Sequence, residues 1–387
     1  MTVDPVSNNA PVYVTDNEVL AQLCQKWLQL DLIALDTEFV RVDTFYPRIG
    51  LIQVGDGKNN YLLDPLQIDQ WDGFIELLVK PDVLKVLHSC SEDLVVFKEF
   101  FQQLPAPLFD SQKAAAFLGY GYSISYQNLV KEVLSIEISK DQTRSDWTRR
   151  PLSEEQCNYA ALDVAYLPAI TRFLQDALTQ KGRLQWLQQE CEQMLASASP
   201  EAVPLAWRDY YLSLGGAWRL SEPEVEALQR LCEWRESEAR IRNKPRNWIA
   251  KDADLLAIAS ALPANMAQLS VVADLPKPLV NRDGVKLLEL IAAPHSGPAL
   301  DLALIEQPLS AQMRKTLKQC QAVVRSAAET LDIASELVAR KKQLLPLISL
   351  AQRNNNFEWP QELGGWRQEL LEAPIRKVLN QSNGYDD

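Results

Sequence analysis

The chain has 387 residues, of which 47% are hydrophobic and 23% charged, and its net charge is −12. At roughly 100–200 residues per domain, this length predicts two or three domains with real cores. The acidic balance argues against a protein that coats nucleic acid with its whole surface, because phosphate contacts need Lys and Arg. No apolar run approaches the ~20 residues that span a bilayer. The polar N-terminus lacks a signal-peptide pattern, so we expect no membrane partner and a cytoplasmic location.

The first two hundred residues alternate strand and helix signals. Short apolar, β-branched runs predict strands at 32–39, 48–56, 60–64, 83–89 and 107–111. Gly57 and Asn59 predict a hairpin turn between the second and third of these. The order predicts an α/β domain, a mixed sheet with helices on its faces. A single long helix is predicted over 153–176, with Ser153 as its N-cap.

Beyond a proline-containing linker at 197–206, strand signals fade and the chain reads as helical. Residues 228–240 resemble 317–329 in apolar spacing, and 251–260 resemble 340–349, at an offset of about 90 residues. This repeat predicts two related all-helical domains after the α/β domain. The alternative is that two unrelated amphipathic bundles look alike by chance. The predicted domains are 1–200, 207–293 and 305–382, with a proline-rich linker at 292–308.

Carboxylates recur at element ends in the first domain. Asp36 and Glu38 end an apolar strand, and residues two apart on a strand share a face. Asp93 lies in the first turn of the next predicted helix, which Ser91 or Ser89 is expected to cap, and Glu92 is an equally acidic neighbour. Tyr159 and Asp163 are four apart on a helix and share one side.

Each of these features alone is commonplace, as a solvated strand end, an N-terminal helix acid or a surface hydrogen-bonded pair. Together they give four carboxylates in one α/β domain. Hard cations such as Mg²⁺ and Mn²⁺ prefer oxygen ligands, and paired metals stabilise both oxygens of a phosphodiester displacement. The combination predicts a phosphodiesterase with two divalent metal ions.

The order and spacing resemble the DEDD exonucleases of the subgroup with Tyr in the third motif. Closer still, five stretches are similar to the bacterial ribonuclease D family: LDTEFVR (35–41), YPRIGLIQ (46–53), HSCSEDLVVF (88–97), RSDWTRRPLSEEQCNYAALDVAYL (144–167) and GGWRQELL (364–371). The resemblance implies a ribonuclease-H-like exonuclease domain followed by two helical domains of the type shared with RecQ helicases (HRDC), the second one divergent.

The resemblance also implies an activity. It is 3′→5′ exoribonuclease hydrolysis that releases nucleoside 5′-monophosphates, with tRNA precursors and other structured RNAs as partners of a monomeric enzyme. Asp36, Glu38, Asp93 and Asp163 would hold the metals, and the choice of Asp93 over Glu92 rests on the family spacing. Tyr159 would orient the attacking water, since its ordinary pKa of about 10 makes it a poor base.

Two basic stretches are candidate RNA-binding segments. An aromatic ring among basic residues can stack a base while the basic residues hold phosphates. Such a combination occurs in the segment before the helix that carries Tyr159 and Asp163. The denser stretch lies in the first helical domain. The candidate residues are Lys140, Arg144, Trp147 and Arg149 in the first segment, and Arg240, Arg242, Lys244 and Arg246 in the second.

Other functions remain open or are excluded. A helicase is excluded because no GxxxxGK[ST] loop occurs, so no nucleoside triphosphate is expected. A DNA 3′→5′ exonuclease of the Werner type shares the same motifs and stays an alternative. A non-catalytic RNA-binding adaptor would need a broken carboxylate, and every expected catalytic position is filled.

Overall fold

The computed structural model describes residues 10–138, 145–198, 207–294, 300–305, 307–353 and 357–382. Lys140 and Arg144, two of the predicted RNA-binding residues, lie outside this part of the chain, as does most of the predicted linker at 197–206. Among the described helices, none has the length and apolar character that a membrane crossing requires.

The α/β domain is built on one mixed sheet, as predicted. Its strands run in the order β1-β4-β3-β2-β5-β6. β1 pairs parallel with β4, and β2, β5 and β6 are parallel neighbours, whereas β3 and β4 form an antiparallel hairpin. Gly57 turns this hairpin with a φ of +84°. The strands are β1 Val12–Val14, β2 Leu32–Val40, β3 Arg48–Gly55, β4 Asn60–Leu63, β5 Leu84–Leu87 and β6 Leu108–Asp110.

Eight described helices accompany this sheet: the first three connect strands, and the other five follow the last strand. They are α1 Asn17–Trp27, α2 Asp72–Val79, α3 Ser91–Phe101, α4 Ser111–Phe117, α5 Tyr126–Leu134, α6 Glu154–Ala165, α7 Leu167–Gln180 and α8 Leu184–Ala198. The sequence pattern did not predict β1, α1 or α2. β1 has only three residues, too few for a periodicity of two to show.

The predicted single helix over 153–176 is wrong. Ser153 does begin it, with a capping box that its hydroxyl and the Gln156 side chain form. However, α6 ends at Ala165 and α7 begins at Leu167. Pro168 contributes to the break, because proline lacks the N–H that would continue the α6 ladder and is tolerated in the first turn of a new helix, where it lies in α7.

α6 lies unusually close to the sheet. A Cβ atom on Gly55 of β3 would meet the Val164 carbonyl oxygen at 2.8 Å and the Ala34 Cβ at 3.3 Å. Only glycine permits this approach without a shift of the helix. Ala34 shares its side of β2 with Asp36 and Glu38, since alternate residues face one way. The close packing therefore lays α6 over the acidic side of that strand.

The described residues from 222 to 382 form two groups of helices with the same element order. Each group has a long helix, a one-turn helix, a second helix, a short turn of helix and a final long helix. The first group is α9 Glu222–Ile241, α10 Arg246–Ile249, α11 Asp252–Ala261, α12 Met266–Ser270 and α13 Lys277–Ala292. The second is α14 Ala311–Leu331, α15 Ser335–Val338, α16 Lys341–Arg353, the 3₁₀ turn Gln361–Leu363 and α17 Trp366–Ser382.

This common order explains the sequence repeat. The two similar 13-residue segments fall in α9 and α14, and the two similar 10-residue segments fall on α11 and α16. Each group also buries its own hydrophobic core. The structure therefore supports two related helical domains, not a chance likeness of amphipathic helices.

The compact units of the chain do not follow its linear order. One unit contains Met1–Val40, Ile49–Ala196 and Leu309–Asp387, and the other contains Arg41–Arg48 and Ser197–Pro308. The second helical domain thus shares a unit with the α/β domain. In the other unit, Phe45 of the β2–β3 connection belongs to the core of the first helical domain.

A buried ion pair fixes the second helical domain on the α/β domain. The Arg367 guanidinium pairs with both carboxylate oxygens of Glu190 in α8, and both side chains are about nine-tenths buried. The Trp366 indole donates to the same carboxylate at 3.1 Å and stacks on Trp186 with ring centroids 5.0 Å apart. Phe117 meets Trp366 edge-on at 5.2 Å. The GGWRQELL stretch is therefore an intramolecular docking element.

Replacing Arg367 with Met should destabilise the protein strongly. Removal of one partner from a buried pair typically costs about 3–5 kcal/mol, because the other charge stays buried and unpaired. Arg172 offers a matched control: it also pairs twice with one carboxylate, that of Asp31, but both side chains are more than half exposed. Arg172→Met should cost at most about 1 kcal/mol. Denaturant unfolding of both variants measures the difference, and equal losses would contradict the assigned role of Arg367.

Candidate active site

Three of the predicted carboxylates converge at one place. Asp36 and Glu38 project from β2, and Asp163 projects from the last turn of α6. One carboxylate oxygen of each lies within 4.8 Å of the others. The three side chains are only partly exposed. The structure therefore brings the strand carboxylates and the helix carboxylate together.

Asp93 approaches the same strand in a different way. It lies in the first turn of α3, is 8% exposed, and its Oδ1 accepts a hydrogen bond from the Thr37 hydroxyl at 2.5 Å. Thr37 stands between Asp36 and Glu38, so this bond ties α3 to the acidic strand. Asp93 is thus next to the three-carboxylate cluster without being one of its close members.

The predicted serine cap of α3 is wrong. Ser91 is already the first helical residue, and Ser89 lies in a left-handed turn with a φ of +59°. Cys90 occupies the N-cap position without a side-chain cap bond. Its N–H donates instead to Asp110 Oδ2 at 3.0 Å, at the end of β6. The start of α3 is therefore held by a neighbouring strand.

Burial and mutual repulsion make these carboxylates reluctant to ionise. Burial, followed by repulsion from Asp163 and Asp93, raises the pKa of Glu38 to about 9. Burial, followed by repulsion from Asp93, raises the pKa of Asp36 well above its ordinary value and that of Asp163 to about 7. Burial raises the pKa of Asp93 to about 6, although the Thr37 hydroxyl counteracts it. A cation would relieve both causes at once.

Tyr159 lies one turn before Asp163 on α6 and stays protonated. Burial, then the charges of Asp163 and Glu38, raise the pKa of its hydroxyl well above the usual 10. An ionised Tyr159 is therefore excluded as a base at neutral pH. Its ring packs beside that of Trp147, with centroids 6.2 Å apart.

Trp147 cannot serve as the base-stacking residue that the sequence suggested. Its side chain is 2% exposed and packs in a cluster with Leu51, Leu62 and Ala160, which Tyr159 borders. The Trp147 backbone packs directly against Gly50 of β3, a contact that a local sequence pattern cannot show. A Cβ on Gly50 would lie 2.6 Å from the Trp147 carbonyl oxygen.

Arg150 and Asp64 hold the Trp147 segment in place, and the sequence pattern missed this pair. Two guanidinium nitrogens of Arg150 donate to Asp64, each at 2.7 Å, and the Asp64 side chain is fully buried. Arg150 also donates to the carbonyl oxygens of Trp147 and Gly50. The partners are 86 residues apart, so no sequence spacing would have joined them.

Three of the four predicted RNA-binding residues in the first helical domain have carboxylate partners. Arg240 and Arg246 both pair with Glu236, whose side chain is fully buried. Arg242 pairs with Glu238 and with Asp283 at 2.6 and 2.7 Å. These arginines are therefore structural cross-links with little charge left for phosphate.

The remaining candidates are placed differently. Lys244 lies over the exposed Trp248 ring at 5.5 Å, and within the described part of the chain its ammonium group donates to a backbone carbonyl oxygen, that of Asp43, at 3.3 Å. Arg149 is exposed, and no carboxylate of the described residues forms an ion pair with it. Of the predicted RNA-binding residues that can be placed, Lys244 and Arg149 keep an uncompensated charge.

Known proteins share this architecture. A 3′-5′ exonuclease family model matches residues 11–179, an HRDC domain model matches 224–291, and a model for the C-terminal HRDC domain of ribonuclease D matches 312–375. Ribonuclease D of Pseudomonas paraeruginosa is 42% identical to this chain, and the match covers 95% of this chain and 97% of the relative's length. Ribonuclease D of Escherichia coli is 34% identical, and the match covers 95% of this chain and 98% of the relative's length.

A solved structure gives the same result. The crystal structure of Escherichia coli RNase D, described as an exoribonuclease involved in structured RNA processing, superposes with a TM-score of 0.84 at 32% identity. The superposition covers 96% of this chain and 99% of the Escherichia coli chain. Fold and site together thus define a 3′–5′ exonuclease domain joined to two HRDC domains. The chain belongs to the ribonuclease D family of 3′–5′ exoribonucleases.

Replacing Glu38 with Gln should stabilise the metal-free protein at alkaline pH. The pKa of Glu38 is about 9 in the fold and 4.5 in its ordinary state, so the unfolded chain releases this proton first. The protonated Glu38 therefore contributes a stability to the fold that is fully present below pH 4.5 and is lost as pH rises through 9. Glutamine cannot ionise, so the variant does not lose this stability. With a chelator present, the variant should melt several degrees above the wild type at pH 8.5.

The melting temperatures should converge toward pH 5. A gain of about 1 kcal/mol raises the melting temperature of a domain of this size by roughly 2–4 °C, which scanning calorimetry resolves. Glu132→Gln, an exposed change on α5, is the control and should show no such trend. A Glu38→Gln curve that parallels the wild type from pH 5 to 8.5 would contradict the electrostatic strain assigned to the site.

Proposed function

We propose that this chain degrades RNA from the 3′ end by two-metal-ion hydrolysis and releases nucleoside 5′-monophosphates. The observation that carries the proposal is the convergence of Asp36, Glu38 and Asp163 within 4.8 Å in a partly buried site. Carboxylates so placed repel one another unless protons or cations intervene. Oxygen donors fit Mg²⁺ and Mn²⁺.

Asp93 completes the ligand set in this proposal. The Thr37 hydroxyl donates to Asp93 Oδ1, and we propose that this carboxylate helps to hold a cation. Bound in this way, two cations would neutralise charge on the attacking and leaving oxygens of the phosphodiester. Tyr159 would orient the attacking water through its protonated hydroxyl. The Trp147 ring packs beside the Tyr159 ring and helps to hold it in place.

RNA is the substrate that the relatives favour. Whole-length matches to ribonuclease D proteins, including the Escherichia coli enzyme of structured RNA processing, cover all three domains. We therefore propose tRNA precursors and other structured RNAs as substrates of a monomeric, cytoplasmic enzyme. A DNA exonuclease of the Werner type, with the same acidic motifs, is the alternative that a matched assay separates.

The RNA contacts that we propose are Arg149 near the nuclease site and Lys244 with Trp248 in the first helical domain. A cation beside an exposed ring can hold a phosphate and stack a base. Trp248 is 56% exposed. Removing both helical domains would not test their role in RNA binding, because it would also expose the buried Glu190. Point substitutions are the cleaner tool.

Asp36→Asn should reduce RNA hydrolysis by at least about 100-fold. Partners outside the ligand shell typically cost about 10–100-fold, and loss of a ligand should cost more. The assay uses Mg²⁺ or Mn²⁺ on matched RNA and DNA oligonucleotides, and on a tRNA with a 3′ extension. We expect mononucleotides from linear RNA, none from circular RNA, and a block by a 3′-phosphate.

Calorimetric unfolding provides the control, since Asp36→Asn should fold at least as stably as the wild type once a repelling charge is gone. Near-wild-type turnover of Asp36→Asn with Mn²⁺ would refute the metal assignment. Faster release from DNA than from RNA would establish the alternative substrate.

Lys244→Met should weaken binding of a tRNA precursor and lower the slope of log affinity against log salt by roughly 1, because one phosphate contact is lost. Its melting temperature should stay close to that of the wild type. Arg246→Met is the matched comparison two residues away. It should lower the melting temperature, since buried Glu236 loses a partner, with little change in the salt slope. If instead Arg246→Met lowered the salt slope and Lys244→Met did not, the RNA contact would belong to the arginines.

A further inference from the structure

A tyrosine hydroxyl is inserted into the backbone of the catalytic helix. The Tyr126 hydroxyl donates to the Leu162 carbonyl oxygen at 3.0 Å and accepts from the Tyr166 N–H at 3.2 Å. In an uninterrupted α-helix these two backbone groups would bond directly, since N–H of residue i bonds to C=O of residue i−4. Side chains that enter this ladder bend or break helices.

The insertion occurs beside the active site. Leu162 directly precedes Asp163, and Tyr166 is the residue at which α6 ends before α7 begins. Burial is the main reason that the pKa of Tyr126 lies well above its ordinary value, and the charges of Asp163 and Asp36 add to it. The hydroxyl therefore keeps its proton and can bridge both groups.

Tyr126 is itself rigidly placed. It is the first residue of α5, whose N-cap Ser125 accepts from the Asn128 N–H at 3.3 Å. Its ring is 7% exposed and meets the His88 ring with centroids 5.6 Å apart. His88 is held by the Ser111 hydroxyl at 2.9 Å and the Ile124 carbonyl oxygen at 3.1 Å.

We propose that Tyr126 is a positioning residue that holds open the last turn of α6 and thereby sets the place of Asp163 relative to Asp36 and Glu38. This inference rests on the proposed ligand role of Asp163. Without the hydroxyl, the half-buried Leu162 carbonyl would lose this donor, at about 1–3 kcal/mol, and the Tyr166 N–H would keep only its contact with the Val164 carbonyl oxygen. The turn relaxes to close the direct bond, and Asp163 moves with it.

The test is Tyr126→Phe, which keeps the ring and removes one oxygen. Calorimetric titration with Mn²⁺ alone, without RNA, should show an affinity lower by roughly 10-fold or more. In the exonuclease assay, the Mn²⁺ concentration for half-maximal turnover should rise by a similar factor, while KM for RNA stays unchanged. Tyr122→Phe is the matched control, because that ring meets Lys113 and lies outside the site.

Parallel measurements on Asp163→Asn separate this inference from the proposed function. If Asp163→Asn keeps Mn²⁺ binding and turnover, the metal assignment fails. If Asp163→Asn loses both while a folded Tyr126→Phe matches the wild type in Mn²⁺ affinity and half-saturation, only the role of Tyr126 is overturned.

Should Tyr126→Phe melt below the assay temperature, Ser111→Ala replaces it. This change leaves Tyr126 intact but removes one of the two hydrogen bonds of the His88 ring, together with the Ser111 bond to the Leu87 carbonyl oxygen. We expect half-saturation to move in the same direction by a smaller factor. A wild-type value for Ser111→Ala would then overturn the proposal.

Discussion

Repulsion among half-buried carboxylates is the constraint on which the site depends. Asp36, Glu38 and Asp163 stand within 4.8 Å of one another, and burial and mutual charge raise their pKa values. Left to themselves, such groups would move apart or draw in water. The surrounding fold must therefore hold them in place, and in the proposed function cations bound between them would offset this cost.

The holding elements come from separate parts of the α/β domain. Gly55 lets α6 lie directly against the acidic strand, and the Thr37–Asp93 bond ties α3 to it. Arg150 and Asp64 lock the segment that supports Tyr159. None of these contacts touches the reacting atoms in the proposed chemistry. Each restricts the carboxylates or their neighbours to one geometry, which is what preorganisation of a metal site requires.

The two helical domains show that one fold can be used in two ways. They share an element order, yet the second is fixed to the α/β domain through Arg367 and Trp366, whereas the first has its own unit and takes in Phe45. Arginines in the two domains serve mainly as buried or half-buried cross-links. The net charge of the protein is −12, and these paired arginines add little free positive charge for the proposed RNA binding.

The sequence alone determined the order of the metal-ligand candidates, the strands that carry them, the Ser153 cap and the two helical repeats. These features are local: alternation, helical spacing and capping are written within a few residues. Only the tertiary structure decided that Trp147 is buried, that Arg240, Arg242 and Arg246 are paired, and that the catalytic helix breaks at Tyr166. Each of these outcomes depends on a partner distant in sequence or on a close backbone approach, as with Tyr126 and Leu162 or Gly50 and Trp147. A charge or a ring has the same letter whether it faces solvent or a buried partner, so its role follows only from what the fold brings beside it.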